Sequence, residues 1–227
     1  FEQHQLYHPI VYAPPFFSLL IDTRLRNAGA TLRYQRRAGD HDVVAGINHG
    51  RASVKGGNYR YVTDGPQTLA TAVDNDADNL EVFVVDRWKF APGWTLVYGA
   101  QAVTGRRETR NTTAGMLSHP RGDYDGINPR IGVIRQLSPT SQLFANVSRL
   151  YEAPTLYELQ DDVPGGNATL DAMRGVVVEA GTRGSQAFDR HRVHWDAAVY
   201  YARLEGEILS RVDPAAPGTR LSPNVDS

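Results

Sequence analysis

The sequence predicts an all-β protein, an antiparallel segment of a transmembrane β-barrel with long outer loops. Two observations carry this prediction. Side-chain polarity alternates with a period of two, and short and long connections between the alternating segments follow one another in turn. Hydrophobic residues make up 41% of the chain and the formal net charge is −1. This composition indicates neither a disordered chain nor a nucleic-acid-binding protein.

The period-two alternation is clearest near the end of the chain. Its apolar set is Val193, Trp195, Ala197, Val199 and Tyr201. In an extended chain these side chains share one face, and the residues between them, such as His194 and Asp196, share the other. In a membrane barrel the apolar set would face lipid, with Trp195 and Tyr201 in an interfacial aromatic girdle, and the polar set would face a wet interior.

The spacing of such segments predicts eight strands. They lie at about 20–37, 42–54, 79–91, 94–106, 126–137, 142–151, 174–184 and 192–205. Short connections at 38–41, 91–93, 138–141 and 185–191 alternate with long ones at about 55–78, 107–125 and 152–173. The first three short connections contain Gly or Pro, which supply the backbone angles that tight reversals need.

The sorting of connections by length distinguishes a membrane barrel from a soluble β-protein. One rim of an outer-membrane barrel needs only strand reversals, while the other carries long loops. Loops beyond about 12–15 residues are uncommon in compact soluble domains. A soluble all-β binding or adhesion module and a β-rich hydrolase stay open as alternatives at this point.

Several short motifs resemble a known family, and they occur in order along the chain. They are Asn-Pro-Arg-Ile-Gly-Val at 128–133, Leu-Phe-Ala-Asn-Val-Ser-Arg at 143–149, Glu-Ala-Pro-Thr at 152–155, Glu-Ala-Gly at 179–181 and Ala-Val-Tyr-Tyr at 198–201. Together they resemble barrel strands of TonB-dependent outer-membrane receptors of the ferric-siderophore type. Leu-Tyr-His-Pro-Ile at 6–10 is similar to a loop motif of the ferric-citrate-receptor-like branch.

The resemblance implies a bacterial outer-membrane receptor that imports a ferric siderophore or similar chelate through a plugged, 22-stranded type of barrel. TonB would energise transport through a plug domain, and the wall would contact outer-membrane lipid. Residues 1–227 would then be a partial barrel without a plug, roughly a third of a receptor. The resemblance implies neither an enzyme nor a cofactor.

Candidate ligand contacts lie in the predicted outer loops. Anionic ferric chelates need forked cationic donors and aromatic walls. The residues that offer these groups are Arg51, Tyr59, Arg60, Tyr61, Arg106, Arg107, Arg110, Arg121 and Tyr124.

Catalytic and metal-binding motifs are not found. The sequence contains no Gly-x-Ser-x-Gly, His-Glu-x-x-His or P-loop pattern and no cysteine, which lowers the expectation of catalysis. Asp74, Asp76 and Asp78 alternate like the start of an EF-hand, but Asn79 replaces the glycine and Val85 the glutamate that such a loop requires. A looser calcium site in an outer loop stays open, although no metal site is predicted.

Overall fold

A single antiparallel sheet of ten strands dominates the computed structural model, which describes residues 1–7, 18–61, 64–113, 115–160, 170–212 and 220–225. Its strands are β1 Glu2–Tyr7, β2 Ser18–Ala38, β3 His41–Tyr61, β4 Thr68–Ala91, β5 Trp94–Thr113, β6 Met116–Ser118, β7 Arg121–Ser138, β8 Ser141–Glu152, β9 Met173–Phe188 and β10 His191–Glu205. The order is β1-β2-β3-β4-β5-β7-β8-β9-β10, with β6 against β5. The sheet is open, with β1 and β10 at its edges, as expected of a partial barrel.

Smaller elements complete the described chain. Helix α1 spans Leu156–Gln160, and two short strand pairs join β11 Glu207–Ile208 to β14 Asn224–Val225 and β12 Arg211–Val212 to β13 Arg220–Leu221. None of the described helices is long and apolar enough to cross a membrane.

All eight predicted strands are present, but two predicted long loops are largely strand. β3 runs to Tyr61 and β4 starts at Thr68, so 55–78 is mostly paired; likewise β5 runs to Thr113 and β7 starts at Arg121. The prediction was wrong because these segments are rich in charged and polar residues and have no continuous apolar parity to mark them as strands. β1, β6, α1 and the short pairs β11–β14 and β12–β13 were not predicted.

The tight turns all lie at one end of the sheet, called here the turn end. They fall at 39–40, 92–93, 139–140 and 189–190. Gly39, Gly93 and Asp189 have φ values of 56°, 72° and 45°, in the left-handed region that tight hairpins use. The opposite end, where β3 joins β4 and β5 joins β7, is called the loop end. The short connections are therefore confirmed, although the last is only two residues long.

One side of the sheet, called the apolar face, exposes large hydrophobic side chains in rows that cross the strands. One row, on β2, β3, β4, β5 and β7, is Leu32, Ile47, Val82, Ala102 and Ile127, and a second, on β7 to β10, is Ile131, Val147, Val178 and Tyr201. Val82 is 47% exposed and Ile127 63%. A soluble module would bury such contiguous rows, whereas the wall of a membrane barrel presents them to lipid.

Aromatic rings border this apolar band at the turn end. His41 stacks on Trp88 with ring centroids 5.7 Å apart, and Trp88 lies 5.8 Å from Phe90. Phe90 lies 6.3 Å from Trp94, and the Arg135 guanidinium lies 5.0 Å above the Trp94 ring. Amphipathic rings next to an apolar band are typical of the membrane–water interface.

The opposite side, called the polar face, carries hydrogen-bonded amides and carboxylates. Asn48 and Gln101 each donate through their amide nitrogen to Glu81 Oε2, at 3.3 and 2.9 Å. Asn128 Nδ2 lies 3.4 Å from Gln101 Oε1, so the chain of donors crosses four strands. Such a face suits a hydrated lumen, because its polar groups would be unsatisfied against lipid.

The outer strand β10 agrees with the predicted facing. Val193 is 51% and Val199 74% exposed, so neither packs into a closed core. Trp195 lies near the turn end, opposite Gly184, where an interfacial ring is expected.

We expect arginine to be costly on the apolar face and tolerated on the polar face of the same strand. Val84→Arg places a charge at the middle of the apolar band and should lower the free energy of unfolding from phospholipid vesicles by about 2–4 kcal/mol. Val85→Arg, one residue along and on the other face, is the matched control and should cost much less. Denaturant titration of the full-length receptor measures both, and equal costs would contradict the assignment of the faces.

Candidate functional site at the loop end of the sheet

Beyond the apolar band, the same face continues toward the loop end as a belt of paired charges. This charged belt consists of Arg51, Lys55, Asp74, Asp76, Arg106, Glu108 and Arg110. Lys55 Nζ lies 3.2 Å from Asp74, and Arg110 Nη2 lies 2.9 Å from Asp76 and 3.5 Å from Asp74. Opposite charges that face each other across strands stabilise pairing in water, and they explain why the strands continue past the membrane band.

The three aspartates that alternate along β4 belong to this pairing. Asp74 and Asp76 contact Lys55 and Arg110, and Asp78 lies 3.0 Å from His49 Nε2. Within the described ranges, no three acidic or histidine side chains converge on a point that could hold a metal ion. The alternation of the three aspartates is therefore better explained by a strand whose carboxylates pair with cations than by a calcium-binding loop.

Glu108 is the most enclosed carboxylate of the belt. His119 Nε2 lies 2.7 Å from its Oε1, and Arg110 Nη1 lies 3.1 Å from the same oxygen. The hydrogen bond from His119 and the charges of Arg110 and Arg106 outweigh the opposing effect of burial, and they lower the pKa of Glu108.

A small core lies on the polar face at the loop end, beneath the segment that holds α1. Leu159 is fully buried, and Thr109, Asn111 and Tyr124 are almost completely buried. Thr155 and Glu158 form a capping box. Thr155 Oγ1 accepts from the Glu158 N–H at 3.2 Å, and Glu158 Oε2 accepts from the Thr155 N–H at 2.7 Å. The cap fixes this single helical turn, which carries Leu159 onto β4 and β5.

Arg107 ties this segment to the sheet. Its Nε donates to the carbonyl of Pro154 at 3.1 Å, and its Nη1 donates to the carbonyls of Asp78 and Arg106 at 3.1 and 3.0 Å. Burial lowers the pKa of the guanidinium from its ordinary value. Arg107 therefore acts as a positioning residue between β4, β5 and the start of the α1 segment.

The structure divides the nine predicted contact residues between the two faces. Arg51, Arg106 and Arg110 lie in the charged belt, and Arg121 lies opposite Glu108 in the strand register, on the same face. Tyr59 and Tyr61 alternate with Arg60 at the end of β3, where Tyr59 shares the face of Lys55 and Arg60 takes the other. Arg107 and Tyr124 lie on the polar face and are buried. The nine residues therefore do not line one common pocket.

The α1 segment was missed by the sequence reasoning, although a signal for it exists. Thr155-Leu-Tyr-Glu158 has the spacing of a capping box, with a threonine followed three residues later by a glutamate. It was not recognised because a single helical turn has no hydrophobic periodicity to detect.

Removing the Arg107 anchor should loosen the α1 segment. In Arg107→Met three carbonyls lose a charged donor, and we expect the free energy of unfolding to fall by about 2–3 kcal/mol. Hydrogen exchange at 156–160 should accelerate. Arg106→Met, at the exposed neighbour in the belt, is the control, and unchanged protection in Arg107→Met would contradict the positioning role.

The loop ends of β4 and β5 should become less stable at acid pH. A folded-state pKa below the ordinary value of 4.5 means that ionised Glu108 stabilises the fold above that pH, and that this stabilisation is lost as pH falls below it. Protection factors for hydrogen exchange in these strand ends, compared between pH 7 and about pH 3, measure the loss. In Glu108→Gln the difference in protection between the two pH values should be smaller. If the difference is as large as in the unsubstituted protein, groups other than Glu108 cause the loss of stability at acid pH.

Comparison with known proteins places this geometry in a family. A family model described as "TonB dependent receptor-like, beta-barrel" matches residues 4–226. No curated protein matches the chain at a significant level.

Solved structures share the fold. The ferric yersiniabactin uptake receptor FyuA from Yersinia pestis is 16% identical, with a TM-score of 0.70 over 92% of this chain and 32% of that one. The copper transporter OprC is 14% identical, with a TM-score of 0.75 over 99% of this chain and 38% of that one. The ferric citrate transporter FecA in its unliganded form is 14% identical, with a TM-score of 0.73 over 96% and 33%.

The chain therefore spans about a third of the length of these structures. The family and these structural neighbours are receptors and transporters, and the chain is not an enzyme. Its open sheet, with one apolar and one polar face, is the wall that such proteins place in the bacterial outer membrane. The chain belongs to the TonB-dependent receptor family, as a segment of its β-barrel.

Proposed function

We propose that this chain is part of an outer-membrane receptor that takes up a ferric siderophore or a similar metal chelate with energy from TonB. The observation that carries the proposal is the division of the sheet into an exposed apolar face and a hydrogen-bonded polar face. One wall then separates membrane lipid from a wet lumen through which a polar chelate can pass.

The structural neighbours support a metal chelate as the proposed cargo. They are a ferric yersiniabactin uptake receptor, a ferric citrate transporter and a copper transporter. All three handle a metal, and two handle it as an iron chelate. A ferric chelate is accordingly the first choice for this protein, and a copper species is the alternative.

Energy coupling requires a partner on the polar face. A barrel of about 22 strands encloses a lumen too wide to close with its own side chains, so a plug must fill it. The carboxylates of Glu81 and Glu179 and the amides that bind them offer hydrogen-bond acceptors and donors to such a plug. TonB would act on such a plug.

Ligand contact is best assigned to the exposed end of β3. Arg60 is exposed on the side of the sheet that forms the lumen, next to Tyr59 and Tyr61. A guanidinium there can hold a chelate carboxylate or catecholate oxygen through two parallel hydrogen bonds. Arg121 and the belt residues Arg51, Arg106 and Arg110 lie on the outer wall, while Arg107 and Tyr124 support the α1 segment.

Uptake by cells tests the proposal. A strain without the full-length receptor should lose accumulation of one radiolabelled iron chelate from a panel of catecholate, hydroxamate and carboxylate chelates and a copper complex. Arg60→Gln should weaken binding of the same chelate to the purified receptor about tenfold or more, the loss typical of a charged hydrogen bond. Arg36→Gln, an exposed arginine at the turn end of β2, is the matched control.

The contrary outcomes are distinct. Uptake of every chelate unchanged in the deletion strain would reject metal-chelate transport. Loss of uptake with normal binding by Arg60→Gln would keep the transport function and reject this contact. Recovery of the protein in aqueous buffer without detergent would favour the soluble binding module instead.

A further inference from the structure

The side chain of Asn224 joins two outer connections that are far apart in the chain. One connection runs from β8 to β9 and carries α1, and the other follows β10 and carries β11 to β14. Asn224 Oδ1 accepts a hydrogen bond from the Asp171 N–H at 2.8 Å, and its Nδ2 donates to the Asp171 carbonyl at 2.9 Å. The same Nδ2 donates to the carbonyl of Gly206 at 2.8 Å. These three hydrogen bonds, called here the Asn224 clamp, hold the end of the first connection against the start of the second.

A carboxamide is the group that the clamp requires. It has the donor and the acceptor of a peptide unit, so Asn224 gives Asp171 both hydrogen bonds that an antiparallel strand partner would give. The ladder between β8 and β9 has already ended at Glu152 and Met173, and it provides no partner at Asp171. A reversed amide would set Nδ2 against an N–H and Oδ1 against two carbonyls, so the network fixes its orientation.

The chain turns at Gly206 to bring the second connection to this point. Gly206 has a φ of 68°, a left-handed value that favours glycine. Beyond it, β11 pairs with β14 through Ile208 and Asn224, and the Leu209 N–H donates to the Pro223 carbonyl at 3.2 Å. Backbone pairing therefore fixes where the Asn224 side chain lies.

Buried side chains flank the Asn224 clamp. Leu170 and Ala172, on either side of Asp171, are buried, and so is Ser222, two residues before Asn224. Packed neighbours limit the conformations that both segments can adopt, so less entropy is lost when the hydrogen bonds form. The clamp therefore belongs to an ordered junction and not to a free loop.

The connection that carries α1 is thus anchored on both sides of the helix. At its start the Arg107 Nε donates to the Pro154 carbonyl, and at its end Asn224 holds Asp171. The first anchor belongs to β5 and the second to the connection after β10. Between them, Tyr157 of α1 is 78% exposed and offers an aromatic surface at the loop end. The place of this ring depends on both anchors.

We infer that Asn224 is a positioning residue through which the connection after β10 holds the α1 connection, so that the two act as one element at the loop end. The inference rests on the proposed function in that the species bound there is a metal chelate. With the clamp in place, a bound chelate leaves only when both connections move together. Without the clamp, either connection moves alone. The clamp therefore slows release of the chelate and has little effect on its association, which is limited by diffusional encounter.

Hydrogen exchange of the full-length receptor without any chelate tests the clamp itself. Asn224→Asp keeps the size and the acceptor of the side chain but removes both donors. The protection factors of the amides at 171–172 and 206–209 should fall about 25-fold, at roughly fivefold for each lost hydrogen bond. Protection at 156–160 should fall as well, because α1 loses its second anchor.

The matched control is Gln186→Glu, which makes the same change of charge at the exposed turn end of β9 and should leave protection unaltered. Unchanged protection at 171–172 in Asn224→Asp would overturn the clamp. Loss there with unchanged protection at 156–160 would overturn the coupling of the two connections. Protection at 96–103, in the middle of β5, should stay the same, and its loss would make Asn224 a residue of the whole fold and overturn the positioning role.

Release of a chelate tests what the clamp does for the receptor. The probes are ferric citrate, a ferric tris-catecholate and a ferric tris-hydroxamate, and the one that the unsubstituted receptor binds is used for the variants. Asn224→Asp should speed its dissociation about tenfold and change its association less than about twofold, whereas general destabilisation would lower the number of binding sites and alter neither rate constant.

The outcomes separate this inference from the proposed function. Equal rate constants in Asn224→Asp and Gln186→Glu would overturn the inference and leave the proposed function standing. Binding of none of the three probes would count against an iron chelate as cargo, and hydrogen exchange, which needs no chelate, would still decide whether the clamp couples the two connections.

Discussion

Backbone hydrogen bonding between neighbouring antiparallel strands is the interaction on which the rest of this chain depends. β2 and β3 pair without a shift from Ala38 and His41 at the turn to Ser18 and Tyr61 at the far end. Within a bilayer every backbone N–H and C=O must find its partner in the protein, and a ladder of this length provides those partners. A shift by one residue would move every side chain to the opposite face, so the register also determines which residues meet lipid.

The same paired strands face lipid along one part of their length and water along another. Near the turn end and the middle, Val84 and its neighbours expose apolar surface that would be unfavourable in water. Toward the loop end the pairs Lys55–Asp74 and Arg110–Asp76 take over on the same face. Exposed ion pairs contribute little stability individually. Each cation of the belt nevertheless lies within ion-pair distance of a carboxylate, which offsets like charges that face each other, such as Asp76 and Glu108.

The buried groups of the loop end contribute more than the exposed pairs. Arg107 donates to three carbonyls from a buried position, and Leu159 seals the polar face above it. A buried charge is tolerated only when its donors are satisfied, so this guanidinium and the α1 segment depend on each other. Arg107 and Leu159 therefore hold β4, β5 and the α1 segment together on the polar face of the loop end.

The sequence by itself determined the strand-rich class, the eight main strands and the tight turns, because period-two alternation and Pro or Gly turns are local signals. It left the facing of 80–90 open, since that stretch is apolar on both parities. The register decided it by placing Val82 and Val84 opposite Ala102 and Ala100 on the exposed face. Strand pairing also extends through most of two segments that were expected to be loops. It places Arg106 and Arg107 on opposite faces of the sheet. The ion pairs across strands and the contacts buried beneath α1 link residues that are far apart in the chain. A local sequence pattern cannot predict such contacts.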